Sequence, residues 1–164
     1  MATQQKQQQQ QQQQPKPQFQ GDQNLYLGLK LKGCEGHITV AWLGKSVDPD
    51  IVWKCAKKSF PTLFNTEKSR FEIMLFTYTH FGPNYDIPVY ICIFNDTEKE
   101  NILIDLWKKY NVEQEHTKGL QKPNWHVKSQ ALPKTADVGQ SYEIDAIFIE
   151  EAGKNGKVIR WLQN

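Results

Sequence analysis

Between Leu25 and Leu31 every second residue is leucine, and the residues between are Tyr26, Gly28 and Lys30. A period of two puts all four leucines on one side of an extended chain, whereas a helix would scatter them. The segment is therefore predicted as a strand with one buried face. A turn, Lys32-Gly33-Cys34-Glu35-Gly36, leads to a second β-rich run, His37-Ile38-Thr39-Val40-Ala41-Trp42-Leu43-Gly44. The two runs predict an antiparallel hairpin. Strict alternation in the second run puts Ile38, Val40 and Trp42 on one face and His37, Thr39 and Ala41 on the other. A titratable ring then stands beside a hydroxyl on a strand that is otherwise apolar.

The rest of the chain continues in short elements. Asp48 reads as a helix N-cap with Pro49 at the first helical position. It opens a helix over about residues 49–60, with Ile51, Val52, Cys55, Ala56 and Phe60 inward. Residues 71–79 and 88–94 are β-rich runs around the turn signal Phe81-Gly82-Pro83-Asn84, and the second is apolar throughout, as an interior strand is. Thr97 and Glu100 have the spacing of a capping box. They open a helix with Ile102, Leu103, Leu106, Trp107 and Tyr110 along one face. Strands near residues 125–131, 142–149 and 157–162 follow, the last two joined by a turn from Gly153 to Gly156. The order is ββ-α-ββ, then α-β-ββ. It predicts an α+β fold of two pseudo-symmetric lobes, with antiparallel strands in the middle and a helix from each half outside.

Of the 164 residues 38% are hydrophobic, slightly low for a globular chain, and the deficit is local. An unbroken glutamine run from Gln7 to Gln14 is followed by Pro15 and Pro17. Such a segment has almost nothing to bury, so residues 1–21 are expected to be a disordered tail and residues 22–164 the domain. A net charge of +2 is too small to point to nucleic acid by itself. Cys34, Cys55 and Cys92 fit neither a disulfide framework nor a zinc site, and read as reduced thiols. No apolar run approaches the ~20 residues of a membrane span. The glutamine-rich start is no signal peptide. A monomer in the cytoplasm is expected, with the nucleus as a second location and no membrane association. Asn95-Asp96-Thr97 matches the glycosylation triplet, without a secretory signal to support it.

Several chemistries are excluded. Gly44-Lys45-Ser46 ends like a phosphate-binding loop, but Thr39 stands where that motif needs its first glycine. There is no Cys-x-x-Cys, no His-Glu-x-x-His and no calcium-loop spacing, so neither a metal nor a cofactor is expected. Nothing resembles a nucleophile elbow. His80 closes a strand and His116 sits in a polar loop, where a structural or solvated role is the simpler reading. His37 and His126 differ. "NWHVKSQ" repeats the design of "GHITVAW", with Val127 in the place of Ile38 and Lys128 in the place of Thr39. A pseudo-two-fold axis between two halves would bring these histidines face to face.

On these residues the chain resembles the two-histidine (2H) phosphoesterases of the LigT-like, cyclic phosphodiesterase-like kind, which carry one His-x-Thr/Ser signature in each lobe of a bilobal α+β fold. His37-Ile38-Thr39 matches the first signature, and the flanking "VAWLG" is similar too. The stretches "LYLGLKL", "FGPNYDIPVYICIF" and "YEIDAIFIEEAGKNGKVIRWL" resemble the opening strand, the central turn and strand, and the closing hairpin, so the likeness covers nearly all of residues 24–163. The second signature departs, with Lys128 in place of threonine or serine. Ser129 points to the opposite face of an unbroken strand.

The resemblance implies metal-independent hydrolysis of RNA-type phosphodiesters: 2′,3′-cyclic phosphates, 2′,5′-oligoadenylates, RNA 3′ ends or cyclic oligonucleotides. Two imidazoles that titrate near neutrality can divide the acid and base roles. Thr39 and Lys128 would hold the nonbridging oxygens. Trp125, Tyr78, His80 and Phe81 are candidates for stacking on a base, each with a core role as the alternative. A lysine beside His126 would lower its pKa, which favours His126 as base and His37 as acid. The second hypothesis is a 2H domain that grips a nucleotide or RNA end without cleaving it, and Lys128 is the residue that supports it.

Overall fold

A computed structural model describes residues 21, 23–64, 70–153 and 155–164. The glutamine-rich tail expected over residues 1–21 lies outside the described residues except for Gly21. The elements run β1 (Leu25–Leu31), β2 (His37–Gly44), α1 (Pro49–Leu63), β3 (Glu72–Phe81), β4 (Ile87–Phe94), α2 (Thr97–Tyr110), a 3-10 turn (Glu115–Thr117), β5 (His126–Lys128), a second 3-10 turn (Ser129–Ala131), β6 (Ser141–Glu151) and β7 (Val158–Gln163). The order matches the expectation from sequence, with one shortened element. β5 has three residues, because the chain turns at Ser129.

All pairings are antiparallel, in the order β2-β1-β6-β3-β4-β5, with β7 added to β6. β6 belongs to both lobes. Its first residues, Ser141 to Glu143, pair with β3, and the rest, Ile144 to Glu151, pairs with β1. The handover falls at Asp145, which the shifted register leaves unpaired as a bulge. One lobe is therefore β2-β1-β6-β7 and the other β6-β3-β4-β5. The lobes interleave in sequence: β3 and β4 join β5, and the C-terminal hairpin returns to β1. Expecting each half of the chain to make its own lobe would put β3 and β4 with β1. The strand at the far end of each lobe carries one histidine, and the sheet curls until β2 and β5 adjoin.

Both helices cover one face of this α+β sheet. Asp48 caps α1 by accepting a hydrogen bond from Asp50 N at 2.9 Å. The helix runs through Pro61 to Leu63 and buries Val52, Trp53, Ala56 and Leu63. Ile51, expected inward, is 41% exposed, because the buried stripe is centred one residue further on. The cap of α2 is Asp96, whose carboxylate accepts from Lys99 N at 3.2 Å, one residue before the expected Thr97. Leu103, Leu106, Trp107 and Tyr110 form its buried side. Leu103, Leu106 and Tyr110 join Leu27, Leu29, Ile38, Leu75 and Ile147 in a core in which each fully buried aliphatic side chain contributes about 1.5–3 kcal/mol over exposure.

β2 does not alternate strictly. Gly28 pairs with Thr39 but Leu27 pairs with Ala41, so Val40 is an extra residue and a bulge. Past it the faces exchange. Ala41 and Leu43 enter the core, while Trp42 comes to the side of His37 and Thr39. The expected faces of Ala41 and Trp42 are thus reversed.

Candidate active-site cleft

Residues opposite each other on an antiparallel ladder share a face. From β2 across to β7, one face therefore carries three rows: His37, Lys30, Ala146, Gln163; then Thr39, Gly28, Phe148, Trp161; then Trp42, Tyr26, Glu150, Val158. In the other lobe the same rule groups His126 with Ile91 and Thr77, and Lys128 with Val89 and Thr79. Tyr26, Val89, Ala146 and Phe148 are buried, yet all four lie outside the helix-covered core. Side chains of this face pack on one another here, Phe148 against Gly28, Tyr26, His37 and Trp161, and the curl that brings β2 to β5 sets the two lobes side by side. The second face of the strands is therefore a cleft, not a solvated surface.

His37 sits against an aromatic wall. Its ring centroid is 5.4 Å from that of Tyr26 and 6.0 Å from that of Phe148, the latter edge-on. Tyr26 meets Phe148 edge-on at 5.8 Å and donates its hydroxyl hydrogen bond to Glu150 Oε2 at 3.2 Å. Gly28 makes this packing possible. A Cβ there would lie 2.6 Å from Cζ of Phe148, whose ring crosses β1 at that point. Lys30, the cross-strand neighbour of His37, bonds the carbonyls of Leu31 and Cys34 and so ties down the turn leading into His37.

His126 is held differently. Its Nδ1 is 2.8 Å from the carbonyl oxygen of Asn124. A carbonyl only accepts, so Nδ1 carries a proton and Nε2 is the nitrogen left to exchange one. Phe81 stands edge-on to the ring at 4.8 Å.

The two histidines and Lys128 lie within reach of one another's charge. Burial pushes His37 down to about 4, and Lys128, His126 and Lys30 add to the effect as positive neighbours. Burial also lowers His126. The Asn124 carbonyl opposes that shift by favouring the cation, and His116 and Lys128 reinforce it. The drop in His126 follows the sequence expectation, but the field of Lys128 reaches across the cleft to His37 as well. His37 rather than His126 is the ring pushed down to about 4.

The remaining candidates divide. Thr39 is half-buried beside His37, in the row of Gly28 and Phe148. Lys128 is exposed on the cleft side of β5. Phe81 stands on His126. Trp125 is a core residue at 3% exposure, edge-on to Phe94, with its indole N–H donating to Glu100 Oε2 at 2.8 Å, so it offers no face to a base. Tyr78 and His80 pair with Tyr90 and Pro88, on the face opposite His126. They meet edge-on at 5.3 Å away from the cleft. Tyr26, Phe148, Trp42 and Trp161 share this face and were not singled out from sequence, and His116, read there as structural or solvated, is a positive neighbour of His126. Tyr26, Gly28 and Lys30 alternate with the leucines and resemble the wet side of an amphipathic strand. Only the pairing with Ala146, Phe148 and Glu150 turns that side into a wall.

Among the described residues no three of His, Cys, Asp and Glu gather as a metal site, and no helix is long and apolar enough to cross a membrane. A cavity of about 210 Å³ between the end of α2 and residues 113–120 is lined by Trp107, Asn111 and Leu120 and holds none of the candidate residues.

No family model and no curated protein matches the chain. Among solved structures it is similar to E. coli LigT complexed with ATP, at 9% identity and a TM-score of 0.46, over 86% of this chain and 96% of that one. It is similar also to a crystal structure of a phosphoesterase, at 12% identity and a TM-score of 0.47, over 86% and 98%. For E. coli LigT in apo form the values are 12%, 0.45, 86% and 96%. At these values the likeness describes the path of the chain and not its chemistry.

Proposed function

We propose that the chain is a metal-independent phosphodiesterase of the two-histidine kind, hydrolysing RNA-type phosphodiesters such as a 2′,3′-cyclic phosphate, a 2′,5′-oligoadenylate or a cyclic oligonucleotide. The observation that carries this reading is the convergence of His37 and His126 on one cleft, from the end strands of two lobes, with Thr39 and Lys128 on the same face.

In this reading His37, kept neutral, takes a proton from water as its oxygen attacks phosphorus. His126 gives a proton to the departing ribose oxygen as the P–O bond breaks. A cyclic phosphate then yields a phosphomonoester and a free hydroxyl. In-line displacement needs the two rings on opposite sides of the phosphorus, which facing lobes suit. The Asn124 carbonyl supports His126 as acid, because it favours the imidazolium. Lys128 supplies a compact positive charge for the nonbridging oxygens, with the Thr39 hydroxyl as a second ligand.

A second reading, binding without cleavage, draws on the lowered pKa of both rings. In the free protein burial then disfavours the protonated form of both rings, and an arriving anion favours it. The experiment is incubation with a 2′,3′-cyclic mononucleotide and with 2′,5′-oligoadenylate, read by phosphorus NMR, for the wild type, His37→Ala and His126→Ala. The expected result is turnover that each substitution lowers by about 10²–10⁴-fold while the fold survives. Near-normal turnover in either variant refutes the paired mechanism. Saturable binding with no turnover of any of these substrates selects the second reading.

A further inference from the structure

Trp161 is the large exposed aromatic on the cleft face, and the chemistry proposed above does not use it. It lies on β7 directly across from Phe148, with ring centroids 5.7 Å apart and planes 25° from parallel. Phe148 is 2% exposed and its centroid is 6.0 Å from that of His37. The rings run in series from His37, edge-on to Phe148 at 6.0 Å, to an indole stacked on Phe148 at 5.7 Å that is 41% exposed. Its backing is rigid, because Phe148 is pinned between Gly28, Tyr26 and His37. Gln163, whose amide both donates and accepts, stands exposed on the same face two residues along.

We propose that Trp161, backed by Phe148, is the stacking platform for the base of a second nucleotide, so that the cleft takes an oligonucleotide of two or more bases in preference to a mononucleotide. The inference rests on reading the two-histidine cleft as a phosphodiester site. An apolar exposed ring would by itself fit many partners. Here it is continuous, through a buried aromatic, with the histidine ring of a cleft whose Lys128 and Lys30 suit a phosphate. A flat face, an edge-reading amide and nearby cations together match a nucleotide chain. Stacking on such a ring is sequence-tolerant, so the platform selects for length and not for base identity.

The test compares adenosine 2′,3′-cyclic phosphate with the diadenylate ending in the same cyclic phosphate, and the binding of 3′-AMP with that of the diadenylate 3′-phosphate by calorimetry. The variants are wild type, Trp161→Ala and Trp161→Phe. In the wild type the dinucleotide should be favoured by roughly 5- to 100-fold in KM and in Kd, the range expected for one stacked base. Trp161→Ala should abolish that preference and leave the mononucleotide constants unchanged. Trp161→Phe, which keeps a smaller ring, should retain part of it. If Trp161→Ala keeps the full preference, or the wild type shows none, the platform is refuted while hydrolysis of the mononucleotide still stands. If the wild type neither binds nor cleaves any of the four nucleotides, the phosphodiester reading falls and the platform falls with it.

Discussion

His37→Gln tests the environment of the site without any assay of activity. His37 has a folded-state pKa of about 4 against an ordinary value of 6.5, with burial as the largest cause. Between those pH values the unfolded chain binds a proton that the folded chain refuses. The folded state is therefore stabilised less as pH falls from 6.5 to 4, and the contribution is whole only above 6.5. A shift of that size corresponds to about 3 kcal/mol once both states are protonated, and to about 2 kcal/mol at pH 5. Glutamine keeps a polar, uncharged side chain of similar reach and cannot titrate. Denaturant unfolding followed by tryptophan fluorescence at pH 7.5 and pH 5 would give the loss of stability for each protein. Carboxylates contribute equally to both and cancel in the comparison. The wild type should lose about 2 kcal/mol more than the variant on going to pH 5. Equal losses would show that His37 is solvated, and the described packing of its ring on Tyr26 and Phe148 would be wrong.

Lys128→Ala should lower kcat by about 10²–10³-fold, as for a lost oxyanion ligand, and move the acid limb of the kcat/KM profile to higher pH, because a charge that lowers His37 is gone; an unchanged rate and an unmoved limb would place Lys128 outside the chemistry. Lys128→Thr should keep much of the activity. Gly28→Val should cost about 1–3 kcal/mol by overpacking and lower kcat as well, since the added Cβ meets Phe148 at 2.6 Å and that ring can yield only toward His37, Tyr26 or Trp161; thermal melts and kinetics on the same preparation check both, and a stable, fully active variant would refute the close packing. Turnover should persist in excess chelator; loss with EDTA and recovery with one divalent metal would overturn the metal-independent reading.

The strands and both helices were legible because period two and period 3.6 are local properties. Each can be read without knowing which element lies beside which. The composition of the lobes was not local. Nothing in "PVYICIF" says that β4 pairs with β5 and not with the first hairpin. Both pairings bury the same apolar face, and the choice rests on β6 being long enough to serve two partners. The Val40 bulge was hidden for a related reason. "HITVAWLG" satisfies strict alternation until Ala41, where a small side chain fits either face equally well. Trp125 looked like a base platform because a tryptophan beside a candidate catalytic histidine invites that role. Its N–H finds Glu100 on the far side of the strand, a contact 25 residues away in sequence. His37 and His126 were legible as a pair because the pattern around them repeats, and a repeat survives the interleaving of the lobes.

The lowered pKa of both histidines bears on how one of them could act as an acid. In the empty cleft burial and the positive charge of Lys128 oppose both cations, and His126 adds to the effect on His37. A bound phosphodiester brings negative charge to the point where these fields overlap and favours the protonated ring. His126 gains more, because the Asn124 carbonyl already supports its cation. Substrate would then recruit the proton it needs, and the free and bound proteins should titrate differently. The alkaline limb of kcat/KM, which reports the free protein, should fall below 6.5, since His126 is lowered there. The alkaline limb of kcat, which reports the complex, should lie at higher pH. Steady-state rates on one substrate from pH 4 to 9 separate the two limbs. Coincident limbs would mean that the bound phosphate does not share the field of His126, and the acid would have to be sought elsewhere in the cleft, with His116 the nearest further imidazole acting on it.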